Sequence, residues 1–240
     1  MRIGIIGKII DLFFPRYCPV CGNRLAGEEE GLCMACILHL PRTNTWDDPY
    51  ENDLAKMFWH QIPVERCCAL FYYAGHSFSS NILYQLKYDF RPELGIIMGK
   101  MLAEEGLRIG FFEGIDTIVP IPLAKKRQKE RGYNQSEEIA RGISMLTHIP
   151  VENSIVRRSV FNGSQTHKDR WGRTENVKDV FELTEDYRPE GKKGTFLEGK
   201  HLLMVDDVCT TGATILSCSK TMCGFQDVRF SVIVIGYAKN

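Results

Sequence analysis

At 240 residues, with 30 basic side chains set against 30 acidic ones, the chain has room for one sizeable α/β domain plus a small appendage. The balance of charge excludes a uniformly basic nucleic-acid binder, so any such role must rest on local clusters. No apolar run approaches the ~18 residues needed to span a bilayer, and there is no internal repeat or low-complexity segment, so the protein reads as soluble.

Arg2 precedes an Ile-rich stretch that could pass for a signal peptide. Lys8 and Asp11 interrupt it and no small-residue cleavage site follows, so secretion is not expected. Ile3, Ile6, Ile10 and Phe13 instead share one helical face ahead of Pro15, the pattern of a docking helix; too few basic residues accompany it for a membrane-surface role.

Two C-x-x-C pairs follow, Cys18 with Cys21 and Cys33 with Cys36. Each pair can chelate with two thiolates, and together they complete the tetrahedral four-thiolate shell that Zn²⁺ favours. With no open position the ion would be structural, worth on the order of 10 kcal/mol to a segment too short to build its own core. A disulfide framework is the rival reading, disfavoured by the five further cysteines and the lack of an export signal. A redox C-x-x-C would want a thioredoxin-like context, which is missing.

Asn44 to His60 is polar and aromatic, and Trp46, Tyr50, Phe58 and Trp59 are expected to pack between the cysteine module and the main domain. Cys67 to Tyr73 reads as the first strand, with its adjacent cysteines as core residues. Helices are expected over Ser80 to Tyr88 and Leu94 to Leu107, then a strand over Ile115 to Val119 closed by Pro120-Ile-Pro122. Lys125, Lys126, Arg127, Lys129 and Arg131 then crowd one expected loop with a single acid, Glu130, ahead of a helix that Asn134 can cap near Ser136. Such a cluster is either a polyanion site or an ordinary solvated basic loop.

Strands are expected again at Ser154 to Val160 and Val180 to Leu183, and last at Val228 to Ile235. Asn162 to Arg173 between them is a polar loop long enough to fold over a site. In it His167 reads more readily as a solvated side chain than as an acid or base, and Trp171 as a loop anchor rather than a base-stacking ring. Thr184 to Gly199 reads as a polar insertion.

The most informative stretch is His201 to Thr214. Leu202, Leu203, Met204 and Val205 form a continuous apolar run, the pattern of a central strand buried on both faces. It meets two carboxylates, Asp206 and Asp207, then the small residues Thr210, Thr211, Gly212, Ala213 and Thr214, then an apolar-periodic helix through Ile215, Leu216 and Met222. A small-residue turn opening a helix presents backbone N–H groups and a positive dipole end to an anion. Adjacent carboxylates can accept hydrogen bonds from a diol, directly or near Mg²⁺. A ligand carrying both phosphate and diol satisfies both halves, and nothing here reads as a Walker A loop.

The run V-D-D-V-C-T-T-G-A-T at Val205–Thr214 resembles the phosphoribosyl pyrophosphate (PRPP) motif of type I phosphoribosyltransferases. That resemblance puts the acidic pair on the ribose, the turn on the 5′-phosphate, and the loop after the Pro120-Ile-Pro122 strand end on pyrophosphate. The cysteine pairs, L-K-Y at Leu86–Tyr88, V-P-I-P at Val119–Pro122, R-G-Y-N-Q at Arg131–Gln135, Q-T at Gln165-Thr166 and N-V at Asn176-Val177 complete a collinear likeness to the ComF family over nearly the whole chain.

The family implies a doubly wound, mainly parallel α/β phosphoribosyltransferase-like fold with a small N-terminal four-cysteine zinc module. The expected organisation is helix and zinc finger over 1–45, a linker over 46–66 and the α/β domain over 67–240. Expected ligands are Zn²⁺, and PRPP or a related phosphoribosyl compound with Mg²⁺, with Lys87, Arg127 and Arg131 on pyrophosphate. Expected partners are single-stranded DNA, with Tyr133, Phe161 and Trp171 as possible stacking rings, and DNA-uptake helicase or recombination proteins. The role implied is cytoplasmic, in DNA uptake, natural transformation or DNA repair. The alternative is a working transferase that moves phosphoribose to a base or amine acceptor, for which no catalytic residue can be named.

Overall fold

The computed structural model describes residues 13–18, 20–27, 29, 31–75, 77–160 and 179–239. Most of the expected N-terminal helix and the whole Asn162–Arg173 loop, with Phe161, His167, Trp171, Gln165-Thr166 and Asn176-Val177, lie outside them. Four parallel strands form the central sheet: β1 (Val64–Tyr72), β2 (Thr117–Pro120), β5 (His201–Cys209) and β6 (Arg229–Tyr237), in the order β1-β6-β5-β2. A separate antiparallel pair, β3 (Val156–Val160) with β4 (Asp179–Leu183), completes the set among the described residues. The fold is mixed α/β with a mainly parallel sheet, as expected.

β5 is central because alternate residues find cores on both sides of the sheet. Leu203 and Val205 join Ile233, Leu86, Met98 and Ile139 in one cluster. Leu202 and Met204 join Val232, Phe58, Ile215 and Met222 in the other. A strand with two dry faces can be apolar at every position, which is why the run shows no alternation.

The first cluster is built on α3 (Phe78–Tyr88), α4 (Pro92–Arg108) and α6 (Gln135–Thr147). α4 and α6 touch backbone to backbone, since a Cβ on Gly99 would come within 2.1 Å of the Ile139 carbonyl oxygen and one on Gly142 within 2.2 Å of that of Ile96. Gly99→Ala is therefore expected to force the helices apart and cost about 1–3 kcal/mol in urea-unfolding stability, an overpacking effect. An unchanged midpoint would mean this contact is not so close.

The stretch expected to be a linker is built into the second cluster. It carries α2 (Asp53–Lys56), capped by Asn52 accepting from the Ala55 amide, and Leu54, Ala55, Phe58 and Ile62 are buried. The expected insertion at Thr184–Gly199 likewise contributes core, through buried Tyr187 and Leu197. Polar residues outnumber these anchors in the sequence, and so their role was not legible.

Trp46 packs edge-on against Phe111 at 6.0 Å, within the cluster that also holds Leu32 and Leu40 of the cysteine module. Tyr50, by contrast, is exposed. Among the described residues, no helix is long and apolar enough to cross a membrane.

Candidate functional site

The acidic pair belongs to the strand rather than to a turn beyond it. β2 pairs with β5 only as far as Pro120 opposite Val205, whereas β5 runs on to Cys209, held on its other side by β6. Asp206 and Asp207 thus stand on a projecting strand end whose β2 side is free for other groups. α6 takes that place. Its N-cap Asn134 is buried, accepts from the Ser136 amide and donates through Nδ2 to the Ile121 carbonyl at 3.0 Å. The helix start is thereby tied to the end of β2, and Ser136 Oγ donates to Asp206 Oδ1 at 3.0 Å.

Asp206 also accepts from the Asp207 amide at 2.9 Å. Burial, and then the neighbouring Asp207 charge, raise its carboxyl to about 7, outweighing those two donors. Asp207 pairs with Lys87 Nζ at 3.0 Å, the partner side chains being 11 % and 21 % exposed. Lys87, expected on pyrophosphate, rests on the acidic pair in the free protein.

After Cys209, Gly212 adopts φ 72° and opens α7 (Ala213–Lys220). A side chain there would be strained by the left-handed backbone and would press on the Phe58 ring at 3.1 Å. No side chain caps α7, so the N–H groups of its first turn remain open to an anion. Asp206 and Thr210 to Thr214 line one small concavity there.

Lys87, Arg127 and Arg131 meet in a second cleft of about 440 Å³, with Tyr88, Phe90 and Glu130 completing its lining. The stretch expected as a basic loop is a short helix, α5 (Lys125–Arg131), ended by Gly132 at φ 75°. Helical spacing explains why only Arg127 and Arg131, four residues apart, share the cleft, while Lys125, Lys126 and Lys129 are exposed and absent from its lining. Arg131 donates to Gln135 Oε1 at 2.8 Å and lies over the Tyr88 ring at 5.2 Å. Gln135 is 2 % exposed, so this bond fixes Arg131 to a buried side chain at the start of α6.

Sequence reasoning did not name Ser136, Gln135, Tyr88 and Phe90 as site residues, although Gln135 closes the R-G-Y-N-Q motif, Ser136 follows it and Tyr88 closes L-K-Y. Tyr133 is not a free stacking ring: it packs on the core and its hydroxyl donates to the Leu86 carbonyl.

At the other end of the chain the four expected cysteines converge. Cys18 and Cys36 sulfurs lie 3.6 Å apart, Cys21 and Cys33 sulfurs 3.5 Å, and all four within 4.8 Å. A tetrahedral site with 2.3 Å arms has edges of about 3.8 Å, so the group fits a metal ion of that kind. The turn at Gly22 (φ 73°) and the bridge of Tyr17 to Arg24 place the first pair, and α1 (Met34–Leu38), which starts directly after Cys33, places the second. Burial opposes ionisation of Cys18, but the amides of Cys33, Cys21 and Val20 outweigh it and bring the thiol down to about 7. Elsewhere Cys67, Cys68, Cys209 and Cys218 are buried, with burial raising each thiol, Cys209 to about 12; all four are core residues, as was expected of Cys67 and Cys68.

The molecule is thus a mixed α/β protein with a parallel sheet, a four-cysteine module and an acidic pair beside a cation cleft at the sheet's carboxyl end. The chain is 27% identical over 208 residues to the DNA utilization protein YhgH of Escherichia coli K12, covering 85% of this chain and 83% of that one. It is 34% identical over 107 residues to competence protein F of Haemophilus influenzae, covering 45% and 44%, and 32% identical over 100 residues to competence protein ComFC of Bacillus subtilis, covering 41% and 34%. The likeness to the ComF family read from the motifs is matched by homologues that bear its name. No family model matches the chain.

Among solved structures, a purine phosphoribosyltransferase from Pyrococcus horikoshii aligns with TM-score 0.35 and 15% identity over 60% of this chain and 81% of that one. A hypothetical protein from Neisseria gonorrhoeae with bound ppGpp aligns with TM-score 0.37 and 18% identity over 59% and 66%. At those scores neither likeness bears on the reading below.

Proposed function

We propose that the chain is a ComF-like protein of phosphoribosyltransferase type that binds PRPP, or a related phosphoribosyl ligand, with Mg²⁺, and also single-stranded DNA, and that it serves DNA uptake or repair. The observation that carries this is the Lys87–Asp207 contact, which joins the cation cleft to the acidic pair at the end of β5. A ligand with a diol between two phosphate groups has matching groups in that order: Asp206 and Asp207 for the diol, Thr210 to Thr214 for one phosphate, Arg127 and Arg131 for pyrophosphate. Mg²⁺ would add charge neutralisation between carboxylates and pyrophosphate. The relatives' names, DNA utilization and competence, support the DNA half. The four-cysteine group is assigned to one structural Zn²⁺.

The reading carries a pH dependence. Ionised Asp206 is the stronger acceptor for hydroxyls and the form that can face Mg²⁺, and below about 7 it holds a proton that the ligand must displace. Affinity for PRPP with Mg²⁺ is expected to rise from pH 6 to 8 and level off above. Comparing the parent with Asp206→Asn separates this from the ligand's own titration: the extra slope must vanish in the variant, and equal slopes would contradict the assignment.

The test of the whole reading is fluorescence anisotropy of a labelled single strand, with PRPP as competitor, beside an assay for pyrophosphate release across bases and amines. Binding at low salt that falls steeply with added salt, partly displaced by PRPP, is the expected result. No DNA binding together with robust pyrophosphate release would replace it with a working transferase.

A further inference from the structure

α3 buries Leu83 and Leu86 but leaves Tyr84 and Tyr88 57 % and 55 % exposed. They are one turn apart on the same face, with ring centroids 5.0 Å apart and planes inclined by 43°. Phe90, two residues on, is 66 % exposed and sits at φ 53°, a left-handed backbone that a bulky side chain rarely adopts. Three rings in seven residues thus stand in solvent beside the cation cleft, one of them on a strained backbone.

The concavities around them are neighbours that share lining residues. A groove of about 580 Å³ beside α3 is lined in part by Tyr84, Lys87 and Tyr88, and the cation cleft is lined by the same Lys87 and Tyr88. On its far side the cleft shares Phe90 and Arg131 with a third hollow of about 500 Å³. An aromatic ring therefore stands at each divide, and a cation stands next to each ring: Lys87 with Tyr88 at the first, Arg131 with Phe90 at the second.

We propose that this groove is where single-stranded nucleic acid binds, its bases stacking on Tyr84, Tyr88 and Phe90 and its phosphates passing Arg127 and Arg131. Alternation of π-faces with cations along a groove is the chemistry that holds unpaired bases without reading their sequence. A duplex, whose bases are already stacked, has nothing to offer these rings. The inference rests on the single-stranded DNA half of the proposed function and names its site. It also makes the competition with PRPP a matter of shared arginines rather than shared rings.

The test uses the full, zinc-loaded chain and a labelled oligothymidylate at several salt concentrations. Tyr84→Ala and Phe90→Gly are each expected to weaken binding about tenfold, the scale of one lost base stack. Their salt slope should match the parent's, because no phosphate contact is removed, whereas Arg127→Ala should flatten it. Glycine suits the left-handed backbone at position 90, so a loss in Phe90→Gly cannot be ascribed to misfolding, and Phe90→Trp should keep parent affinity or exceed it. Calorimetry with PRPP on the same samples should show unchanged affinity in Tyr84→Ala, whose ring lies outside the lining of the cation cleft.

If the parent binds the strand and both aromatic variants bind it equally well, the groove is wrong while the DNA reading stands. If the parent binds no strand, the DNA reading fails and takes the groove with it. If thymidine monophosphate displaces the strand at the strand's own nucleotide concentration, the rings hold one nucleotide and the proposal for a polymer is overturned.

Discussion

Cys33→Ser is expected to strip the metal from the N-terminal module and to unfold it. Among its described residues the module has a five-residue helix and an isolated strand bridge of Tyr17 with Arg24, far below what a free-standing core requires. Its buried Leu25, Leu32 and Leu40 belong to the same core cluster as Leu70 and Phe71 of the main body, so a collapsed module would also uncover part of that core. A Zn²⁺ bound by four thiolates contributes on the order of 10 kcal/mol, and three ligands cannot close the shell. Metal analysis should find one Zn²⁺ per chain in the parent, and chelator or Cys33→Ser should lower the melting temperature markedly. No bound metal, or a variant as stable as the parent, would remove the zinc module from this account.

The second large effect is expected from replacing Asp206 and Asp207 together by Asn. Shape is kept, but two charged acceptors and any metal contact are lost. Hydrogen bonds to charged groups are worth about 1.5–3 kcal/mol each, so affinity for PRPP with Mg²⁺ should fall on the order of a hundredfold or more. The Asp206 exchange should cost little stability, because burial and the Asp207 charge already hold that carboxyl up at about 7, whereas the Asp207 exchange removes the ion pair with Lys87. Calorimetry above pH 7 gives the affinity and thermal melting gives the control. A stable variant that binds PRPP like the parent would place the ligand elsewhere.

Much of this architecture was legible because the sequence signals were chemical rather than statistical. The apolar run Leu202 to Val205 has the pattern of a strand dry on both faces and is one, Asn134 can cap a helix and does, and paired C-x-x-C spacing is matched by four sulfurs within 4.8 Å. What was not legible depended on long-range packing. Lys125 to Arg131 forms a helix because Gly132 can end it left-handed, although no residue of that helix is buried to give an apolar rhythm. Lys87 on Asp207 and Ser136 on Asp206 join residues far apart in the chain, and only the folded sheet brings them together. Phe58 supports the turn at Gly212 from a stretch whose composition resembled a linker.

Hydrogen exchange tests the central assignment most directly, because the proposed anion site consists of backbone N–H groups. With PRPP and Mg²⁺ added, exchange is expected to slow across Thr210 to Ile215, and ribose 5-phosphate alone should slow the same amides while pyrophosphate alone should not. Exchange at Thr210 to Ile215 that is unchanged by saturating PRPP would contradict the account.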